Sequence, residues 1–345
     1  MMKPKKTILV TGGAGFIGSN FVRYILEKYT DYHVMVLDNL TYAGNPENFD
    51  NGIINSPCFS FWYGNVRNPE IVNELVAKAD VVVHMAAETH VARSIYDNAI
   101  FFETDVLGTQ VIANAVAKHP NVERFIHIST SEVYGTALTE PMTEEHPLNP
   151  TTPYASAKAG ADRLVYSYYV TYGIPAIIVR PFNNYGPYQH LEKVIPRFIT
   201  SALLDEPLTI HGDGKSSRDW LYVEDHCEAL DKLIHVDLDK VKGQVINIGT
   251  GRDVNIETIA YMVLEMLGKS KALITYVGER PGQVRRHIAS TEKAKKLLGW
   301  EAKTSFEEGL EKTIKWYQNH RNWWQKLLWM RTVPIKKPDG TIEWH

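Results

Sequence analysis

Cysteine is nearly missing from this sequence: its 345 residues include two, Cys58 and Cys227. A pair so far apart builds neither a disulfide framework nor a zinc spacing, so both read as buried thiols of a reducing compartment and no metal is expected. No apolar run approaches the roughly 20 residues that span a bilayer. The basic start Met1–Lys6 leads into a short apolar run and a glycine loop, not into the apolar stretch and cleavage site of a secretory leader. A cytoplasmic protein with no membrane partner is expected. Charge of one sign is missing too: 37 basic side chains face 40 acidic ones, a formal net charge of -3, so nothing draws the chain to nucleic acid. Internal repeats and low-complexity segments are absent.

What is present is a long alternation of apolar runs and helical patterns. Thr7–Thr11, Val34–Asp38, Val81–Met85, Arg124–Ser129 and Ala176–Val179 read as buried strands, with a further strand expected before Asn65. Phe16–Tyr29, the region through Val106 to Lys118 and the stretch from Tyr154 toward Tyr172 read as helices. Continuous apolar strands separated by helices point to an α/β fold: a Rossmann-type, doubly wound parallel sheet covered on both faces. The pattern changes at 181–196, rich in Pro, Asn, Gly and aromatics, which suits a ligand-contacting loop. Short strands near Leu208–His211 and Val245–Ile248 suggest a smaller C-terminal α/β lobe. The expected division is 1–180 for the Rossmann domain, with some segments from about 212–250 returning to it. The substrate lobe then covers most of 181–330, and 331–345 forms a tail. Trp323, Trp324, Trp329 and Trp344 would anchor the tail region or meet a second subunit.

Thr11-Gly12-Gly13-Ala14-Gly15-Phe16-Ile17-Gly18 follows a strand and opens a helix, the context that gives a glycine pattern meaning. Gly12 allows a tight turn, Gly15 lets backbone approach a pyrophosphate, and Gly18 lets the helix pack closely. Asp38, 20 residues beyond Gly18, is placed to accept ribose hydroxyls. An acid there repels a 2′-phosphate, so NAD is expected over NADP. Asn65 and Val66 could cap the adenine edge, and Ala86 and Ala87 leave room for the dinucleotide.

Thr130-Ser131-Glu132 at a strand end and Tyr154-Ala155-Ser156-Ala157-Lys158 on a helix carry the chemistry. Residues four apart share a helix face, so Lys158 can stand beside Tyr154 and lower a phenol pKa that starts at about 10. Tyr154, sharing the substrate hydroxyl with Thr130, can take a proton from a sugar alcohol as its carbon gives up hydride. Once that carbon is a ketone the neighbouring C–H is acidic, and Glu132 can remove it. Loss of water and return of the hydride then make the cycle redox-neutral.

These residues carry a family likeness. TGGAGFIGSN at 11–20, DNLTYAGN at 38–45, HMAAETHVARSI at 84–95, ISTSEVYG at 128–135 and YASAK at 154–158 are joined by RPFNNYGPYQHLEKVIPRFI at 180–199 and RDWLYVEDHCEAL at 218–230. From about Lys6 to Trp324 the chain resembles the extended short-chain dehydrogenase/reductases. Within them it is most similar to the nucleoside-diphosphate-sugar 4,6-dehydratases, dTDP-glucose 4,6-dehydratase being the closest type. The resemblance implies that Asp38, Asn39, Leu40, Thr41 and Gly44 surround the adenosine ribose, with Phe16 and Ile17 beside the glycine loop. It implies that Thr104, Ser129, Tyr154 and Lys158 touch the nicotinamide half, and that Thr130, Glu132 and Tyr154 handle the hexose. Thr89, Asn183, Lys193, Val194, Arg218, Asn247 and Arg286 would grip the nucleotide sugar, and a homodimer is implied.

Two positions depart from the dTDP-glucose type. Ser131 stands where those enzymes carry the Asp that protonates the leaving C6 hydroxyl, so Ser131, Glu132 or water must supply that proton. His211 stands where they carry an aromatic, which leaves the base open. Other readings use the same machinery. A UDP-glucuronate decarboxylase needs no C6 proton donor but does need an Arg for the carboxylate, for which Arg93 is a candidate. A nucleotide-sugar 4-epimerase is compatible with VGERPGQVRR at 277–286 yet leaves Glu132 without a task. A catalytically silent NAD-binding protein would have no use for Thr130, Tyr154 and Lys158.

Overall fold

The strands of the large sheet sort their residues by parity. In β1 (Lys6–Thr11), β2 (Tyr32–Asp38), β3 (Phe59–Tyr63), β4 (Val81–His84), β5 (Arg124–Ile128) and β6 (Ala176–Pro181) the side chains alternate between faces. Ile8, Val10, Val34, Val36, Val81, Val83 and Ile126 therefore enter one core, while Leu9, Met35, Leu37, Val82 and Phe125 enter a second core on the opposite face. Both faces are dry, which is why these runs are continuously apolar. The computed structural model describes residues 4–279, 282–336 and 339–344. Met1–Lys3 of the basic start, Arg280 and Pro281 of the 277–286 stretch, and His345 lie outside the described residues.

Beyond β6 lie β7 (Asn183–Tyr185), β8 (Leu208–His211), β9 (Ser217–Tyr222), β10 (Val245–Ile248), β11 (Asp253–Asn255), β12 (Ile274–Val277) and β13 (Arg286–His287). The large sheet has seven strands in the order β10-β6-β5-β4-β1-β2-β3, all parallel. The strand expected near Val245 thus completes the large sheet, whereas the one near Leu208 belongs to the smaller lobe. There β9 pairs with β7, β11 and β13, and β8 pairs with β12. That lobe has its own core of Phe198, Trp220, Leu310 and Tyr317. Trp323 and Trp324 join it, donating to Asn48 Oδ1 at 3.0 Å and Tyr317 O at 2.7 Å, while Trp329 and Trp344 are exposed.

Parallel strands bring all their C-terminal ends to one edge. Strand order reverses between β1 and β4, and a crevice opens there. Every loop singled out above as chemical leaves the sheet on this edge.

Candidate active site

The crevice widens into one cavity of about 470 Å³, walled by Gly12, Asp38 and Asn65 at one end and by Thr209, His211, Arg218 and Trp220 at the other. At the first end β1 runs into Gly12, whose φ of 71° is left-handed; a Cβ there would stand 2.7 Å from the Ala86 backbone. A Cβ on Gly18 would lie 2.4 Å from Gly12 O, so the helix Phe16–Lys28 rests directly on the loop. Gly15 has only Gly12 O, at 3.3 Å, near its missing side chain, and it lies on the cavity wall. The helix has no side-chain cap and no acid in its first turn, so its N–H groups are left for an anion.

Asp38 accepts from Ala14 N at 2.9 Å and Leu40 N at 2.8 Å. Burial pushes its carboxyl above the ordinary range against the pull of those two bonds. Phe16, Ile17, Asn39, Thr41, Gly44, Val66, Ala86, Ala87, Thr104 and Ser129 share the wall with it. Leu40 does not: at a φ of 49° it turns the chain and packs against the core beneath. A bare glycine, an uncapped helix end and a ribose-side carboxylate together suit an adenine dinucleotide.

The helix Pro153–Tyr172 is bounded by its sequence. Thr152 caps it by accepting from Ala155 N at 3.2 Å, Pro153 fills the first turn, and Gly173 ends it in the left-handed region. Tyr154 is half-buried on the cavity wall, within hydrogen-bonding reach of Thr130 and Thr89. Lys158, one turn on and also on the wall, donates to Ile128 O at 2.7 Å. The expected lowering of the phenol is not found in this arrangement. Burial pushes Tyr154 above its ordinary value, and the charges of Asp105 and Glu132 push the same way. A buried ammonium needs an acceptor. The Lys158 amine takes a carbonyl, and its electrostatic partners are Asp105 and Asp162. Burial lowers that amine and raises the Asp105 carboxyl. Asp105 went unnoticed in the sequence because it sits in a π-helical turn, Phe102–Gly108, off the regular helical spacing.

Thr130 does two jobs after β5. Its hydroxyl faces Tyr154 and also accepts from Glu132 N at 3.2 Å, capping the 3₁₀ turn Ser131–Tyr134. Ser131 is buried on the wall. Glu132 is partly exposed to the cavity, with Oε1 4.0 Å from Arg218 Nε and 3.9 Å from His287 Nδ1.

Thr89, Asn183, Lys193, Val194, His211 and Arg218 line the second half. Lys193 donates to Thr89 Oγ1 at 3.1 Å and starts the uncapped helix Val194–Leu203; His211 donates to Gly278 O at 3.2 Å. Two of the expected residues lie elsewhere. Asn247 is buried off the wall, bonded to Met142 O at 3.0 Å and Tyr134 OH at 2.6 Å, so its amide is used in the fold. Arg286 also lies off the wall, paired with Asp253 at 2.9 Å and with Glu140, so its charge is already matched. Glu192 was overlooked although it stands beside Lys193. It lines the cavity and takes bonds from Tyr42 OH at 2.7 Å and Arg93 Nε at 2.6 Å. Burial alone would raise it, but His90, Lys193, His190 and Arg93 hold it down at about 2.

The family model for GDP-mannose 4,6 dehydratase matches residues 9–313. The low-salt glycan biosynthesis protein Agl12 of Haloferax volcanii is 47% identical over 90% of this chain and 98% of its own. A dTDP-glucose 4,6-dehydratase of Streptomyces niveus is 39% identical, covering 96% of each. The crystal structure of DesIV, a dTDP-glucose 4,6-dehydratase of Streptomyces venezuelae with NAD bound, superposes with a TM-score of 0.89 at 39% identity, over 93% of this chain and 99% of that one. Fold, crevice and near-full-length likeness agree: the chain belongs to the GDP-mannose 4,6 dehydratase family, the nucleotide-sugar 4,6-dehydratases of the extended short-chain dehydrogenase/reductases.

Proposed function

We propose that this chain is an NAD-dependent nucleoside-diphosphate-hexose 4,6-dehydratase that forms a 4-keto-6-deoxy nucleotide sugar. The observation that carries the reading is that Tyr154 and Glu132 stand on the wall of one cavity that is continuous with the glycine-loop crevice. NAD, when bound, supplies the acceptor for hydride from C4 and its donor to C6. Gly12, Gly15, Gly18 and Asp38 hold it. Thr130 and Tyr154 orient the C4 hydroxyl, and Tyr154 accepts its proton as the phenolate, a form that the positive charge of bound NAD would favour against the burial that otherwise raises it. Glu132 removes the C5 proton once C4 is a ketone. Lys193, Arg218 and the open end of the helix Val194–Leu203 hold the diphosphate, and Thr209 and His211 face the base.

Arg93 bears on the decarboxylase reading. It is committed to Glu192 and lies over the Tyr42 ring at 4.2 Å, so it is not free for a substrate carboxylate. A panel of UDP-, GDP- and dTDP-hexoses, read by product mass, tests the function: loss of one water supports it. Loss of carbon dioxide, or an unchanged mass with altered stereochemistry, overturns it.

The site division continues the reading of 1–180 as cofactor domain and most of 181–330 as substrate lobe, with the helix Val223–His235 and β10 returning to the large sheet. Among the described residues no helix is long and apolar enough to cross a membrane. A cytoplasmic setting is supported by two unpaired cysteines. Phe102, Leu107, Tyr166, Val170 and Tyr172 are exposed on the π turn and the catalytic helix, and this apolar face supports a homodimer. Sedimentation is expected to give twice the 39.2 kDa chain mass; a monomer at micromolar concentration contradicts this.

A further inference from the structure

Ser131 leaves the departing C6 hydroxyl without a neighbouring carboxylic acid, and the structure holds another proton carrier next to Glu132. His287, in β13, is fully buried and does not line the cavity; it stands behind Glu132. Its Nε2 lies 2.6 Å from the carbonyl of Gly135, which can only accept, so Nε2 carries the hydrogen. The neutral ring therefore has a bare Nδ1. That atom has no hydrogen-bond partner among the described residues and faces Glu132 Oε1 at 3.9 Å. A bare ring nitrogen on a buried side chain and a carboxylate oxygen this close can share one proton. A closure of about 1 Å makes the gap a hydrogen bond.

The surroundings leave this pairing little competition. β13 runs beside β9 with His287 opposite Arg218, so both groups approach the same Glu132 oxygen from adjacent strands. Arg218 is a permanent donor and cannot receive a proton. The remaining titratable neighbour, His146, uses both nitrogens, one accepting from Leu138 N at 3.0 Å and the other donating to Pro147 O at 3.0 Å. Phe182 closes the far side, its ring centroid 6.3 Å away.

We propose that His287 is a positioning residue for the water-loss step, whose Nδ1 takes from Glu132 the proton removed from C5 and returns it for the departing C6 hydroxyl. The step balances. The C5–H bond breaks and its electron pair enters the C4–C5 enolate. The proton forms an O–H bond on Glu132 and is shared with His287. The C6–O bond then breaks with its pair on oxygen, C5=C6 forms, and the proton leaves in water. Burial lowers the imidazole and Glu132 opposes that, so the ring is neutral and ready to receive before C5 is deprotonated.

This inference rests on reading Glu132 as the base at C5. His287→Gln tests it, because a glutamine amide can still donate to Gly135 O and hold the turn but cannot carry the proton. Single turnovers with NAD-loaded protein are expected to show C4 oxidation at the unmutated rate and water loss slowed roughly 100-fold, with its pH profile losing the histidine limb. Unchanged water loss and pH profile, or equal slowing of both steps, overturns the proposal. The imidazole shift of His287 in the folded, unmutated chain, followed by NMR against pH, gives a second readout. Glu132→Gln must lower that titration; no change overturns the pairing. If the unmutated chain releases no water from any nucleotide hexose, it is the dehydratase reading that has failed.

Discussion

Glu132→Gln is expected to leave C4 oxidation running while water loss falls by roughly 100- to 10,000-fold, the usual contribution of a positioned base. Gln keeps the shape and a hydrogen-bonding oxygen beside Arg218 but cannot take the C5 proton. Tyr154→Phe is expected to abolish both steps, since it removes the hydroxyl that faces Thr130 and takes the first proton. Rapid-quench product analysis in deuterated water separates the cases. Deuterium should enter C5 with the unmutated chain and not with either variant. Equal entry at C5 with Glu132→Gln would remove Glu132 from the chemistry.

The second large effect concerns stability. Asp162, on the catalytic helix, and Arg180, on β6, are fully buried and meet through two bonds of 2.8 and 2.9 Å. Arg180 also donates to Tyr134 OH at 3.0 Å, and Tyr134 OH donates to Asn247 at 2.6 Å. One chain of bonds thus ties the Tyr154 helix, the Glu132 turn and β10 together. Asp162→Ala strands a buried guanidinium and is expected to cost about 3–5 kcal/mol, read as a lower denaturant midpoint. A cost below about 1 kcal/mol would mean that Arg180 finds water or another partner. Burial pushes Asp162 up, but Arg180 and Arg163 outweigh it and hold the folded carboxyl below its ordinary value. Its contribution is therefore present above the unfolded carboxylate pKa, about 3.9, and is lost as pH falls through the folded value.

What the sequence alone discloses depends on the kind of interaction. Gly12, Gly18 and Asp38 were legible because their constraints are local: a turn, a close helix and a strand end. Thr130, Glu132, Tyr154 and Lys158 reached one wall because parallel strands bring their ends to one edge. The partner of Lys158 was not legible. A shared helix face says where a side chain starts, whereas its end is chosen by the Ile128 carbonyl and by Asp105 from a π turn. The partners of Arg286 and Asn247 were not legible for the same reason: their polar groups meet Asp253, Glu140, Met142 and Tyr134, all distant in sequence. His287 carried no local signal, since its pairing with Glu132 depends on β13 lying beside β9.

In this chemistry one sugar carbon loses a hydride that the same molecule regains two carbons away. Nucleotide hexose labelled with deuterium at C4 tests this directly when turned over by the NAD-loaded protein with unlabelled substrate in excess. The label is expected at C6 of the 4-keto-6-deoxy product, on the molecule that lost it. Label that returns to C4, or that appears on molecules that were unlabelled at the start, contradicts it.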